Sequence, residues 1–172
     1  MKAKNLQIKM KGFTLIELLV VITIIGILAT IVVVNLNSAR GKGQDTAIKE
    51  QMSQLRAQAA LYYDDNYGYT VANGNAAITG TCPTAVASPN TNVFDQIDFI
   101  RSLTALQRNS GSAPNCYLEA GTSAATSQKW ALTIKMRLPS APNGLWCVDS
   151  IGNSLEVASG YIPSSNNFQC QN

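Results

Sequence analysis

The stretch Gly12-Phe13-Thr14-Leu15-Ile16-Glu17-Leu18-Leu19 opens a run that stays almost wholly apolar as far as Leu36. Between Phe13 and Leu36 only Thr14, Glu17, Thr23, Gly26, Thr30 and Asn35 interrupt it. As a helix rising ~1.5 Å per residue the run reaches about 36 Å, enough to cross a ~30 Å hydrocarbon core. Before it lie Lys2, Lys4, Lys9 and Lys11 with no acid, and after it the first charge is Arg40. That asymmetry predicts an N-terminus in the cytoplasm and the remainder of the chain outside. A secretory signal peptide has an apolar core of only ~7–15 residues and a small-x-small cleavage site. Here the run is too long, and Asn37-Ser38-Ala39 makes a poor site. A plain signal anchor fits better but leaves Glu17 unexplained. A carboxylate in such a span costs on the order of 2.5–3.5 kcal/mol near its centre and less near its end, so it calls for a partner.

The rest of the composition narrows the function classes. The chain has 172 residues, 13 Lys+Arg against 10 Asp+Glu, a net charge of +3, and no histidine. That length suits one domain with an appendage. Without histidine there is no Ser-His-Asp triad, no Cys-His pair and no His-ligated metal. Neither a Gly-x-Ser-x-Gly motif nor a P-loop is present, and no nucleophile sits beside a base, so an enzyme is not expected. The charge is too small to argue for nucleic acid by itself.

The string Gly12 to Leu19 resembles the class III signal of type IV pilins and the related type II secretion pseudopilins. The resemblance is specific for about the first fifty residues. It implies that a membrane-embedded prepilin peptidase cuts between Gly12 and Phe13 on the cytoplasmic face and N-methylates Phe13. It also implies that Glu17, fifth in the mature chain, pairs with the Phe13 amine of a neighbouring subunit during assembly. The chemistry is sensible: a new cation at a helix N-terminus faces the positive end of the macrodipole, and a buried acid is expensive only while unpaired. Gly26 falls where pilins often carry a glycine that lets the helix loosen. The proline that many carry eight residues later is Val34 here, with no proline between Phe13 and Pro83, which leaves any local melting to Gly26.

Beyond the span, Ile48, Met52, Leu55, Ala59 and Tyr62 recur at spacings of four, three, four and three, one stripe on a helical period. Asp45 and Lys49 form an i,i+4 pair. The expected division is a leader over 1–12, a membrane and filament-core helix over 13–36, its amphipathic continuation over 37–63, and a head over 64–172. Gly41 and Gly43 are candidate bending points. Asp64-Asp65-Asn66-Tyr67-Gly68 should end the helix, and residues 70–92 read as a long surface loop. A short helix follows over Val93–Arg108. Strand patterns occupy Cys116–Glu119, Trp130–Leu138 (Lys135 and Arg137 on one face), Leu145–Asp149 and Ser154–Val157, the last two flanking a turn at 150–153. The fold class expected is α+β: a long N-terminal helix packed on an antiparallel sheet of three or four strands, as in the pilin fold.

Cys82, Cys116, Cys147 and Cys170 all lie in the extracytoplasmic part, where an even number suggests disulfides with three connectivities open. Likeness to pilins, whose C-terminal loops are stapled, implies Cys147–Cys170, with Cys82–Cys116 as the second pair. No resident cofactor or metal is expected, although Asp149, Asn153 and Glu156 supply oxygens around a hairpin that keep calcium open, as in major pseudopilins. Trp130, Lys135 and Arg137 in one strand suit either a nucleic-acid contact or, more commonly, a solvated face with one core aromatic. The expected function is a pilin, with a type II secretion pseudopilin and a DNA-uptake or adhesive minor pilin as alternatives. Its partners would be further copies through the N-terminal helices, the prepilin peptidase, the assembly machinery and inner-membrane lipid, with DNA or a surface receptor left open. The subunit would wait in the bacterial inner membrane and then enter an extracellular filament. Loss of residues 1–12 removes four lysines, leaving nine basic against ten acidic side chains, a net −1.

Overall fold

The computed structural model describes residues 12–70, 77–85, 91–120, 127–138, 144–163 and 168–171. Most of the expected leader, residues 1–11, lies outside them. The chain divides into two compact units, Met1–Arg40 and Gly41–Asn172. Helix α1, Leu15–Asn66, belongs to both. The amphipathic half of the helix therefore goes with the head unit, since that is where its apolar stripe is covered.

In the first unit the described residues leave the helix's apolar side chains uncovered. Leu15 is 88% exposed, and the described large apolar side chains from Phe13 to Leu36 are all exposed. The stretch is long and apolar enough to cross a membrane. Its polar residues turn inward on their own backbone: Thr23 Oγ1 donates to the Val20 carbonyl at 2.8 Å and Thr30 Oγ1 to that of Ile27 at 2.7 Å. Hydroxyls satisfied this way present no open donor to an apolar surrounding. The helix is continuous through Gly26.

In the second unit α1 ends at Asn66 rather than Tyr63. Asn66 Nδ2 donates to the Tyr62 carbonyl at 2.9 Å, closing the last turn, and Tyr67 takes a left-handed φ of 57° that the helix cannot continue through. Ile48, Met52, Leu55 and Ala59 are fully buried. They share one core with Phe94, Phe99, Leu103 and Leu106 and with the sheet's Cys116, Leu118, Trp130, Leu132, Ile134 and Val148. The sheet has five antiparallel strands in chain order: β1 Ile78–Thr81, β2 Asn115–Leu118, β3 Trp130–Lys135, β4 Leu145–Asp149 and β5 Ser154–Val157. A 3-10 turn at Val93–Asp95 leads into α2, Ile97–Ser110.

Several expectations are corrected here. The loop over 70–92 contains β1, a strand with no large alternating side chain except Ile78. Its place comes from pairing with β2, Gly80 opposite Cys116, and from a bridge between Thr70 and Asn92. Parts of that loop, residues 71–76 and 86–90, lie outside the described residues. With β1 the sheet has five strands, not three or four. Strand β3 stops at Lys135, because the next two free backbone N–H groups go elsewhere: those of Arg137 and Leu138 donate to the Asp45 carboxylate at 2.6 and 2.8 Å. Arg137 therefore does not share a strand face with Lys135. Asp45, engaged across the fold, does not pair with Lys49, whose Nζ sits 4.3 Å from the Trp146 ring centroid. Gly41 lies against the head: a Cβ there would lie 2.5 Å from Leu138 Cδ1.

The sheet's second face is covered by the C-terminal segment. Tyr117 and Ala131 pack with Phe168, and Cys147 and Val157 pack with Cys170. Cys82 is bonded to Cys116 and Cys147 to Cys170.

Candidate functional site

Gly12, Phe13 and Thr14 precede the helix, with Gly12 exposed and Phe13 76% exposed. The Gly12–Phe13 peptide bond thus lies in non-helical, accessible chain, the condition proteolysis favours. Immediately after it the helix is closed by a reciprocal pair. Glu17 N–H donates to Thr14 Oγ1 at 3.3 Å, while Thr14 N–H donates to Glu17 Oε2 at 2.8 Å. The Thr14 hydroxyl adds a third bond, donating to the same Oε2 at 2.7 Å. This is a capping box, in which two donors that a helix start otherwise leaves open are satisfied by residues three apart.

Glu17 therefore has a partner within its own chain. Phe13, Ile16, Val20 and Val21 line an open surface hollow with it, so its exposed carboxylate sits at the edge of an apolar patch. Glu17 lies in the first turn of the helix with Phe13 close by, Gly12 precedes the helix, and Gly26 lies nine residues, about 14 Å, beyond Glu17 along it. Thr14 is the residue sequence reasoning passed over. Its signal was present as Thr-x-x-Glu ahead of an apolar run.

The acidic hairpin at the other end of the chain behaves differently from a ligand set. Asp149 is fully buried. One of its oxygens accepts the N–H groups of Ile151 and Asn153 at 3.1 and 2.9 Å. The other accepts Asn153 Nδ2 at 2.8 Å and the buried Cys170 N–H at 2.9 Å. Both oxygens are turned to donors of the protein, and among the described residues no group of three or more acidic or cysteine side chains is placed to hold a metal. Trp130 is fully buried in the core, so it offers no face for a base to stack on. Burial raises the phenols of Tyr62, Tyr69 and Tyr117 above their ordinary value, with the Asp95 carboxylate adding to the effect at Tyr62.

A family model described as "Prokaryotic N-terminal methylation motif" matches residues 8–33, the segment that holds the accessible Gly12–Phe13 bond, the capping box and the exposed apolar helix. The chain is similar in part to type IV pilins and type II secretion pseudopilins. It is 45% identical over 60 residues to the "Type IV wide pilus major component PilA4" of Thermus thermophilus, across 35% of this chain and 46% of that protein. It is 32% identical over 95 residues to the "Type II secretion system core protein G" of Dickeya chrysanthemi, across 55% of this chain and 61% of that protein. The protein of the same name from Klebsiella pneumoniae is 30% identical over 95 residues, 55% of this chain and 66% of its own length. The chain thus spans about half to two thirds of the length of these relatives. No solved structure matches it.

Proposed function

We propose that this chain is a pilin, a structural subunit polymerised into a type IV pilus. A prepilin peptidase removes residues 1–12 and N-methylates Phe13, and the apolar half of α1 holds the subunit in the inner membrane until assembly. Glu17 then pairs with the Phe13 amine of a neighbouring copy while the apolar helices bundle and the heads face outward. The observation that carries this reading is the methylation motif lying on a helix whose apolar side chains are left exposed by the described residues. Surface of that extent is accounted for by lipid before assembly and by other copies of the same helix afterwards.

A second reading, a major pseudopilin of a type II secretion system, uses the same assembly chemistry. It is favoured by the longer reach of the similarity to core protein G, 95 residues against 60. Calcium belongs to that reading. The four donors on Asp149 weigh against that residue as a ligand. A minor pilin for DNA uptake or adhesion is the remaining alternative, and the burial of Trp130 weakens the nucleic-acid contact in its sheet.

The test is the intact mass of the membrane-extracted protein, expected to lack residues 1–12 and to carry one methyl group on Phe13. An uncleaved N-terminus, or cleavage near Ala39, overturns the reading. Glu17→Ala should be processed but assemble poorly, and normal filaments from it would remove the docking role. Long sheared filaments made mostly of this chain favour the pilus, whereas a calcium-dependent melting shift without filaments favours the pseudopilin.

A further inference from the structure

The head unit carries a groove of about 520 Å³ between α1 and the start of α2, floored by Tyr62, Val93 and Phe99 and edged by Leu61, Asp65 and Asp98. Leu61 stands 67% exposed on its lip. Asp98, though exposed, is bridged to Arg101 at 3.2 Å, so among the described residues the exposed acids here outside an ion pair are Asp64 and Asp65. They sit in the last turn of α1, which holds no basic residue. Negative charge there opposes the macrodipole and is relieved by cations from outside. Gln58 also lines the groove, and its Oε1 is buried with no donor among the described residues.

The other end of the same unit is complementary. Leu138 stands 47% exposed against Gly41, and Lys42, Lys135 and Arg137 around it are all exposed. Gly41 and Leu61 are twenty residues apart on one helix, about 30 Å. No single head can bring its own basic corner to its own groove.

We propose that successive heads dock pole to pole, the Leu138 corner of one copy seated in the α1/α2 groove of the next. Leu138 meets the apolar floor, Lys42 and Lys135 meet Asp64 and Asp65, and Gln58 gains a donor. The two patches differ, so the contact is heterologous and repeats along an open helical assembly instead of closing into a dimer. This rests on the filament reading and adds to it a second, head-level contact, independent of Glu17.

The experiment expresses the full chain in its own bacterium and measures sheared filament yield and the salt concentration that dissolves the filaments. Lys42→Glu with Lys135→Glu, and separately Asp64→Lys with Asp65→Lys, should each lower the yield about tenfold, and all four changes together should restore most of it. Arg137 is left alone because its Nε holds the Asn109 carbonyl. A photo-reactive residue at Leu61 of an otherwise parental chain should capture the neighbour's peptide containing Leu138, a readout that does not depend on how the charge variants fold. If the parent assembles and Glu17→Ala does not, yet the pole variants assemble normally or Leu61 captures a different region, pole-to-pole docking fails alone. If the parent forms no filament, the filament reading fails and the docking with it.

Discussion

Asp149→Ala is expected to loosen the C-terminal segment from the sheet even with both disulfides intact. The substitution leaves four donors without their acceptor. The Cys170 N–H is buried, and stranding it costs about 1–3 kcal/mol. The three turn donors lie where Ile151 is 59% exposed, so water replaces their acceptor and the loss falls to ~0.5–1 kcal/mol each. The total is about 2.5–6 kcal/mol, which at about 4 °C per kcal/mol for a unit of this size lowers the melting point by about 10–24 °C. The assay is near-ultraviolet circular dichroism of the full chain in detergent, which follows Trp130 and Trp146, run in calcium and in chelator. Asp149→Asn keeps one acceptor oxygen and should fall between the two. A melting point within about 2 °C of the parent would refute the hydrogen-bond reasoning. A parental melting point that drops in chelator, with Asp149→Ala no longer responding, would make Asp149 a ligand instead.

Gly111 caps α2 at φ 76°, and a Cβ there would lie 2.7 Å from Arg137 Nη2. Gly111→Ala should therefore cost about 1–2 kcal/mol. Gly41→Ala, whose Cβ would lie 2.5 and 2.8 Å from Cδ1 and Cγ of half-exposed Leu138 and so displaces one movable side chain, should melt within about 3 °C of the parent because helix propensity offsets the displacement; equal losses at the two glycines would contradict this. Three phenols held protonated by burial make the head sensitive to alkali. Their folded values lie above the ordinary 10.0, so above pH 10 the unfolded chain loses protons that the folded one keeps, and stability falls as pH rises. Urea midpoints measured from pH 9 to about 11 should decline above 10, and a flat or rising series would contradict the assignment.

What could be read from the sequence was whatever repeats at short range. The stripe Ile48-Met52-Leu55-Ala59 was legible because a 3.6-residue period needs no partner to be seen. The ranges Leu145–Asp149 and Ser154–Val157 were legible because a turn separates two alternating runs. Strand β1 was not, since Ile-Thr-Gly-Thr carries no pattern of its own and is placed by β2 and by the Cys82–Cys116 bond. Nor was the end of β3, which is decided by Asp45 more than ninety residues earlier. An i,i+4 spacing suggested Lys49 for that acid, but two backbone donors at fixed positions are stronger partners than one exposed ammonium. At the N-terminus the motif drew attention to Glu17 as a group awaiting a partner. The Thr14 capping box was equally written there.

Because the strands lie in the sheet in the order they occur in the chain, each can pair with its predecessor as it is made. From β2 to β5 the paired residues are at most 18 apart in the chain, and such short-range contacts form fast. The helix stripe has no such advantage. It is synthesised first, and its cover is not complete until Val148, about ninety residues after Ala59. At ~5–20 residues per second the stripe stands open for about 4–18 s. For that interval the amphipathic half of α1 is an aggregation hazard on an otherwise easily folded head, and it is the part of the newborn chain that a holding factor would have to cover.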